Sequence, residues 1–149
     1  MAVDLLARRA WTCAELTARL QRRGASPAVA TATVADLAGR GYLDDAAFAR
    51  HWVEVRAARG YGAARLRAEL RSRGVPSSLI DAALAALAPA GVLARCRQTA
   101  HRRLAALQRT PPERAAVRLR DYLLRRGFAA GVVARVLREV TGRVDDNDD

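Results

Sequence analysis

Apolar positions along this chain return every three or four residues and never alternate for long, so the pattern predicts helix almost throughout. One module is written three times. Leu16-x3-Leu20-x3-Gly24, Leu66-x3-Leu70-x3-Gly74 and Leu119-x3-Leu123-x3-Gly127 share a spacing, and their glycines lie 50 and then 53 residues apart. Behind each glycine, apolar residues return at offsets five, ten and thirteen: Val29, Val34 and Leu37; Leu79, Leu84 and Leu87; Val132, Leu137 and Val140. Self-similarity at this period marks stacked helical units, none of which buries its apolar face alone. The fold class expected is all-α, a tandem repeat of three three-helix units forming an elongated, curved helical array. Such a scaffold points to binding rather than catalysis.

Caps divide the pattern into helices. Thr12-x-x-Glu15 and Thr110-Pro111-Pro112-Glu113 fit a capping box, Ser26 and Ser77 read as further N-caps, and Asp44-Asp45 reads as an N-cap followed by a first-turn acid. Gly24, Gly60, Gly74 and Gly127 each follow an arginine where a left-handed residue ends a helix. The helices expected are 3–10, 13–23 and 27–39, then 45–58, 62–73 and 77–87, then 91–108, 112–126 and 130–140. The units run 1–41, 42–88 and 89–141, with a disordered acidic tail over 142–149. The core is expected from Leu16, Leu20, Val34, Leu37, Phe48, Trp52, Leu66, Leu70, Leu79, Ile80, Leu84, Leu119, Leu123, Phe128, Val133 and Leu137.

Charge changes the picture from scaffold to cationic scaffold. The net charge of +11 is carried by arginine alone, because the 149 residues include no lysine. GC-rich coding explains the absence of lysine but not the surplus of positive charge. Four of the 15 acids are Asp145, Asp146, Asp148 and Asp149; without them 26 arginines face 11 acids. A body of about +15 suits nucleic acid or an acidic protein surface, and arginine's planar fork suits phosphate or carboxylate. Cys13 and Cys96 stand apart from each other and read as reduced thiols in an intracellular protein. The N-terminus lacks a signal peptide's apolar core, and the longest uncharged stretch, Ala82 to Ala94, is too short to span a bilayer. A cytoplasmic protein is therefore expected, without a membrane.

Candidate chemistry is scarce, so enzymatic activity and cofactors are not expected. His51 and His101 are isolated, Asp44-Asp45 has no companion metal ligands, and no phosphate loop or hydrolase motif occurs. Two arginine groups remain. Arg22-Arg23-Gly24 and Arg125-Arg126-Gly127 end two module helices, where positive charge complements the helix dipole but also sits at equivalent points of one repeated surface. Arg56, Arg59, Arg65, Arg67, Arg71 and Arg73 surround Gly60-Tyr61-Gly62. Glu69 is placed to pair with Arg73, whereas Arg67 and Arg71 share a face with no evident local partner. A solvated face is the plain alternative. The partner-binding surface expected is Arg22, Arg23, Arg56, Arg59, Tyr61, Arg65, Arg67, Arg71, Arg125 and Arg126, centred on Arg67 and Arg71. Trp11 and Trp52 are expected in the core.

These residues resemble the RecX family of RecA regulators. The match runs through Gly41-Tyr42-Leu43-Asp44-Asp45-Ala46-Ala47-Phe48-Ala49, then Arg59-Gly60-Tyr61-Gly62 into Arg65-Leu66-Arg67-x-Glu69-Leu70-x3-Gly74. Leu6-Ala7-Arg8-Arg9 with Glu15-Leu16 looks like the first unit, and Leu123-Leu124-Arg125-Arg126-Gly127-Phe128 like the last. The resemblance covers residues 4 to about 140. It implies tandem three-helix repeats and a monomer that docks along the groove of a RecA–DNA filament. It also implies suppression of ATPase, strand exchange and coprotease activity, with single- or double-stranded DNA in the filament as a further contact. The rival reading is a basic helical module that binds DNA directly.

Overall fold

In a computed structural model, residues 2–6 and 9–142 are described, and they form helices with no strand among them. The helices are α1 (Ala2–Leu6), α2 (Cys13–Arg22), α3 (Pro27–Gly39), α4 (Asp45–Ala58), α5 (Ala63–Ser72), α6 (Ser77–Ala85), α7 (Pro89–Ala106), α8 (Pro112–Arg125) and α9 (Ala130–Thr141). The order and bounds follow the apolar pattern closely. Pro89 opens α7 two residues before the expected start, because proline's fixed φ suits the first helical position. Part of the expected helix 3–10 (Ala7 and Arg8) and the tail from Arg143 lie outside the described residues.

The module is a helix plus its stop. Gly24, Gly74 and Gly127 have φ of 99, 77 and 97°, the left-handed conformation open to glycine. The next residue's N–H returns to the leucine carbonyl five positions back: Ala25 to Leu20 at 3.0 Å, Val75 to Leu70 at 3.1 Å, Phe128 to Leu123 at 3.2 Å. This is the Schellman closure, which satisfies carbonyls that the helix end leaves orphaned. Gly60 closes α4 in the same way, and Gly41, which the capping signals missed, closes α3.

The start signals were less reliable guides. Thr12 caps α2 by accepting the Glu15 N–H at 3.1 Å, and Ser26 caps α3 through the Val29 N–H at 3.2 Å. Asp44 accepts the Ala47 N–H at 3.0 Å, and Asp45 accepts the N–H of Cys13 at 2.9 Å, so it also serves the start of α2. Ser77 and Thr110 do not cap. Pro76 and Pro111 occupy those N-cap positions with extended backbone and no side-chain bond, so Ser77 is already helical and Thr110 lies one residue too early.

The chain forms two compact units, one of residues 1–53 and 67–86, the other of 54–66 and 87–149, so α4 and α5 contribute to both. In the first, α2 packs on α3 around Leu5, Leu16, Leu20, Ala30, Val34, Leu37 and Leu43. In the second, α7, α8 and α9 pack on one another around Cys96, Ala100, Leu107, Ala115, Leu119, Leu123, Phe128, Val133 and Val136. Each fully buried leucine contributes about 1.5–3 kcal/mol of apolar burial. Leu66, Leu70, Ile80 and Leu84 are buried as expected, whereas Phe48, Trp52, Leu79 and Leu137 are only partly covered. The offset-five positions are corrected: Val29 is 58% exposed, while Ala30, Ile80 and Val133 one residue later are buried. Each following helix begins three residues after its glycine, and that start turns offset six toward the core.

Candidate partner-binding surface

The surface around Tyr61 is assembled by backbone. Gly60 (φ 85°) stops α4, and the Gly62 N–H donates to the Arg126 carbonyl at 2.7 Å while the Ala64 N–H donates to the Gly127 carbonyl at 3.2 Å. The approach is close enough that a methyl on Gly62 would overlap the Gly127 carbonyl and lie 2.5 Å from the Phe128 nitrogen. Arg126 completes the clamp, its Nε donating to the Gly60 carbonyl at 3.0 Å and a terminal nitrogen to the Arg59 carbonyl at 2.5 Å.

The result is a tyrosine ringed by cations. The guanidinium carbons of Arg126, Arg56 and Arg65 lie 3.9, 4.1 and 5.5 Å from the Tyr61 ring centroid, and Arg103 and Arg126 approach Tyr122 at 4.8 and 5.6 Å. The ring quadrupole attracts cations held over its face at these distances. Arg59, Arg65 and Arg125 are exposed, whereas Arg56, Tyr61 and Arg126 are half-buried. Thus the structure brings Arg56, Arg59, Tyr61, Arg65 and Arg126 together, with Arg126 fixed as the clamp.

Arg67 departs from expectation, whereas Arg71 does not. Arg67 pairs with Asp81 of α6, which overturns the reading that it lacks a local partner; α6 packing supplies a carboxylate that spacing along α5 alone does not reveal. Arg71 is exposed, and its guanidinium has no partner among the described residues. Arg73 is engaged, but its ion pair is with Glu15 at 3.3 Å, and its guanidinium lies 4.5 Å over Trp52; Glu69 accepts the Trp52 indole N–H at 3.1 Å.

Arg22 lines a shallow groove of about 250 Å³ with Arg9, Trp11, Glu15 and Arg73, and Arg22 and Arg23 line a second of about 340 Å³ with Leu5, Arg19 and Trp11. Arg9 stacks 3.7 Å over Trp11, whose indole donates to the Leu5 carbonyl at 2.9 Å. Neither tryptophan is a core residue: both are half-buried beneath an arginine. Arg9 was not singled out from the sequence, and Arg73 was expected to pair with Glu69 because its actual carboxylate, Glu15, lies 58 residues before it.

The charge is uneven. Residues 54–66 and 87–142 hold 15 arginines against four carboxylates, whereas residues 1–53 and 67–86 hold ten against seven. Among the described residues no group of three or more His, Cys, Asp or Glu is placed to hold a metal ion, and no single helix is long and apolar enough to cross a membrane. Both cysteines are free thiols. Burial raises the Cys96 thiol to about 11 against a small opposing pull from Arg97; burial, with the charge and hydrogen bond of Asp45, raises Cys13. The Glu139 carboxyl is held below its usual range chiefly by the hydrogen bond from Arg97, at 2.7 Å.

Fold and surface together define a small helical protein with an arginine-faced exterior. Family models for the first and second three-helix domains of RecX match residues 1–37 and 44–84. The chain is 43% identical over 136 residues to the regulatory protein RecX of Thermobifida fusca, covering 91% of this chain and 74% of that one. It is 47% identical over 58 residues to the regulatory protein RecX of Mycobacterium avium, covering 39% of this chain and 34% of that one. The chain belongs to the RecX family. Two crystal structures share the fold: a regulatory protein RecX at TM-score 0.82 and 21% identity, covering 90% of this chain and 66% of that one, and RecX from Lactobacillus salivarius at 0.83 and 14%, covering 95% and 93%.

Proposed function

We propose that this chain is a non-enzymatic regulator that docks on the filament formed by the RecA recombinase on DNA and lowers its ATPase, strand-exchange and coprotease activities. On this reading it works in the cytoplasm as a monomer built from three tandem three-helix units, over 1–41, 42–88 and 89–141. The observation that carries it is the excess of arginine over residues 54–66 and 87–142, 15 against four carboxylates, gathered in part around Tyr61 by a backbone clamp. A rigid cationic surface of this kind favours an anionic partner and quickens encounter. Family membership supports the choice of RecA.

The test is the single-stranded-DNA-dependent ATPase of the RecA from the same cell, titrated with this chain at near-physiological salt. Inhibition at substoichiometric ratios with little binding to naked DNA is expected. Replacing exposed Arg22, Arg59 and Arg71 together by alanine should raise the half-inhibitory concentration roughly tenfold with the helical CD signal unchanged. The same charge surplus also supports direct DNA binding. That reading prevails if the ATPase is untouched while naked DNA binds tightly, with a steep fall as salt rises.

A further inference from the structure

The solvent face of α8 carries a second surface beyond the Tyr61 cluster. α8 buries Ala115, Leu119 and Leu123, which turns its opposite side outward. There Val117 is 48% and Leu124 41% exposed, two of the four large hydrophobic residues left open among the described residues. Seven residues apart, they stack about two turns from each other, roughly 10 Å along the axis. Beside this ridge run Arg114, Arg118 and Arg125, at intervals of four and seven residues, so they share a face. All three are exposed, and none of their guanidinia has an ion-pair or hydrogen-bond partner among the described residues. Asp121, by contrast, is paired with Arg120 at 3.3 Å.

We infer that this face docks an acidic amphipathic helix of a protein partner, with apolar side chains on Val117 and Leu124 and carboxylates on Arg114, Arg118 and Arg125. Charge complementarity sets the occupant's sign. The exposed apolar pair selects protein over nucleic acid. A phosphate backbone gains nothing from a valine and a leucine in the middle of its track, whereas a helix laid into a groove uses residues at this spacing as anchors. A second copy of the chain meeting this face with its own α8 is disfavoured, because Arg114, Arg118 and Arg125 would face their like.

The inference deepens the filament reading and rests on it, with RecA as the protein whose helix is met. The experiment places the photocrosslinker p-benzoylphenylalanine at Val117 of the full chain and irradiates it with RecA filaments on labelled single-stranded DNA. Crosslinking to RecA is expected. Val117→Ser with Leu124→Ser should weaken filament association about tenfold, and Arg114→Glu, Arg118→Glu and Arg125→Glu together roughly a hundredfold, with melting unchanged because all five residues are exposed. Crosslinks to DNA or to a second copy would overturn the inference. So would an absence of crosslinks, or of any effect of the two variant sets, while the wild-type chain still inhibits the ATPase; the filament reading would then stand without this face. A wild-type chain that neither binds nor inhibits filaments would sink both.

Discussion

Alanine at each of the three module glycines, Gly24, Gly74 and Gly127, should cost unequal amounts of stability although the sequence writes the three positions alike. All three are left-handed, at φ 99, 77 and 97°, and forcing an L-residue there costs about 1–2 kcal/mol in each case. Their surroundings differ. A methyl on Gly24 meets nothing within 4 Å, so the conformational cost is the whole cost. A methyl on Gly74 overlaps the Ala14 methyl on α2, and relief requires moving that helix, adding about 1–3 kcal/mol. A methyl on Gly127 overlaps the Arg65 backbone nitrogen and lies 2.5 Å from its Cβ and 2.9 Å from the Gly62 carbonyl. No rotamer relieves a backbone overlap. The turn must separate, and the two backbone bonds that join Gly62 and Ala64 to Arg126 and Gly127 weaken, at about 1 kcal/mol each beyond the overlap itself.

The expected losses are therefore about 1–2 kcal/mol for Gly24→Ala, about 2–5 for Gly74→Ala and about 4–7 for Gly127→Ala. Urea unfolding followed by far-UV CD measures all three. Ala14→Gly in the Gly74→Ala background provides a control, since it removes the overlapping methyl and should restore about 1 kcal/mol beyond additivity. Losses equal within about 0.5 kcal/mol would mean that the cap conformation is the entire role of these glycines and that the close approaches carry no energy.

Further outcomes follow from the thiols and the clamp. Folded Cys96 holds its proton to about 11 while the unfolded thiol releases it near 9.0, so its contribution is full below pH 9 and is lost as pH rises through 11. Urea unfolding should accordingly show a loss of at most about 2 kcal/mol between those limits, absent in Cys96→Ala. Alkylation by iodoacetamide at pH 8 should modify half-buried Cys13 first and buried Cys96 only on unfolding, and Asp45→Asn should quicken Cys13 because a charge that raises its pKa is removed. Arg126→Lys keeps the charge but loses the paired bonds to the Arg59 and Gly60 carbonyls; a loss of about 2 kcal/mol in urea midpoint experiments is expected, and an unchanged midpoint would show that the clamp is not energetic.

Most of the fold was legible because it is local. Helix period, left-handed glycines and the Thr12, Ser26 and Asp44 caps are set within four or five residues, and all appear at the expected positions. The errors arose where a neighbouring residue competes for the same role. Pro76 and Pro111 take the cap positions that Ser77 and Thr110 were expected to hold, and with α3 starting at Pro27 as expected it is offset six, Ala30, and not offset five, Val29, that turns inward. The candidate surface was less legible for a different reason. Whether an arginine is spent depends on a carboxylate brought by another helix, and no spacing rule links Arg67 to Asp81 or Arg73 to Glu15. Arg126 shows the limit best: read as a surface charge repeated after Arg23, it instead donates to two backbone carbonyls 66 and 67 residues away. Repetition in sequence therefore predicts repetition of the cap, which is local. It does not predict repetition of function, because the arginine beside each glycine meets different neighbours. The unspent arginines are the better guide to what this protein touches, and on α8 three of them lie along one helical face.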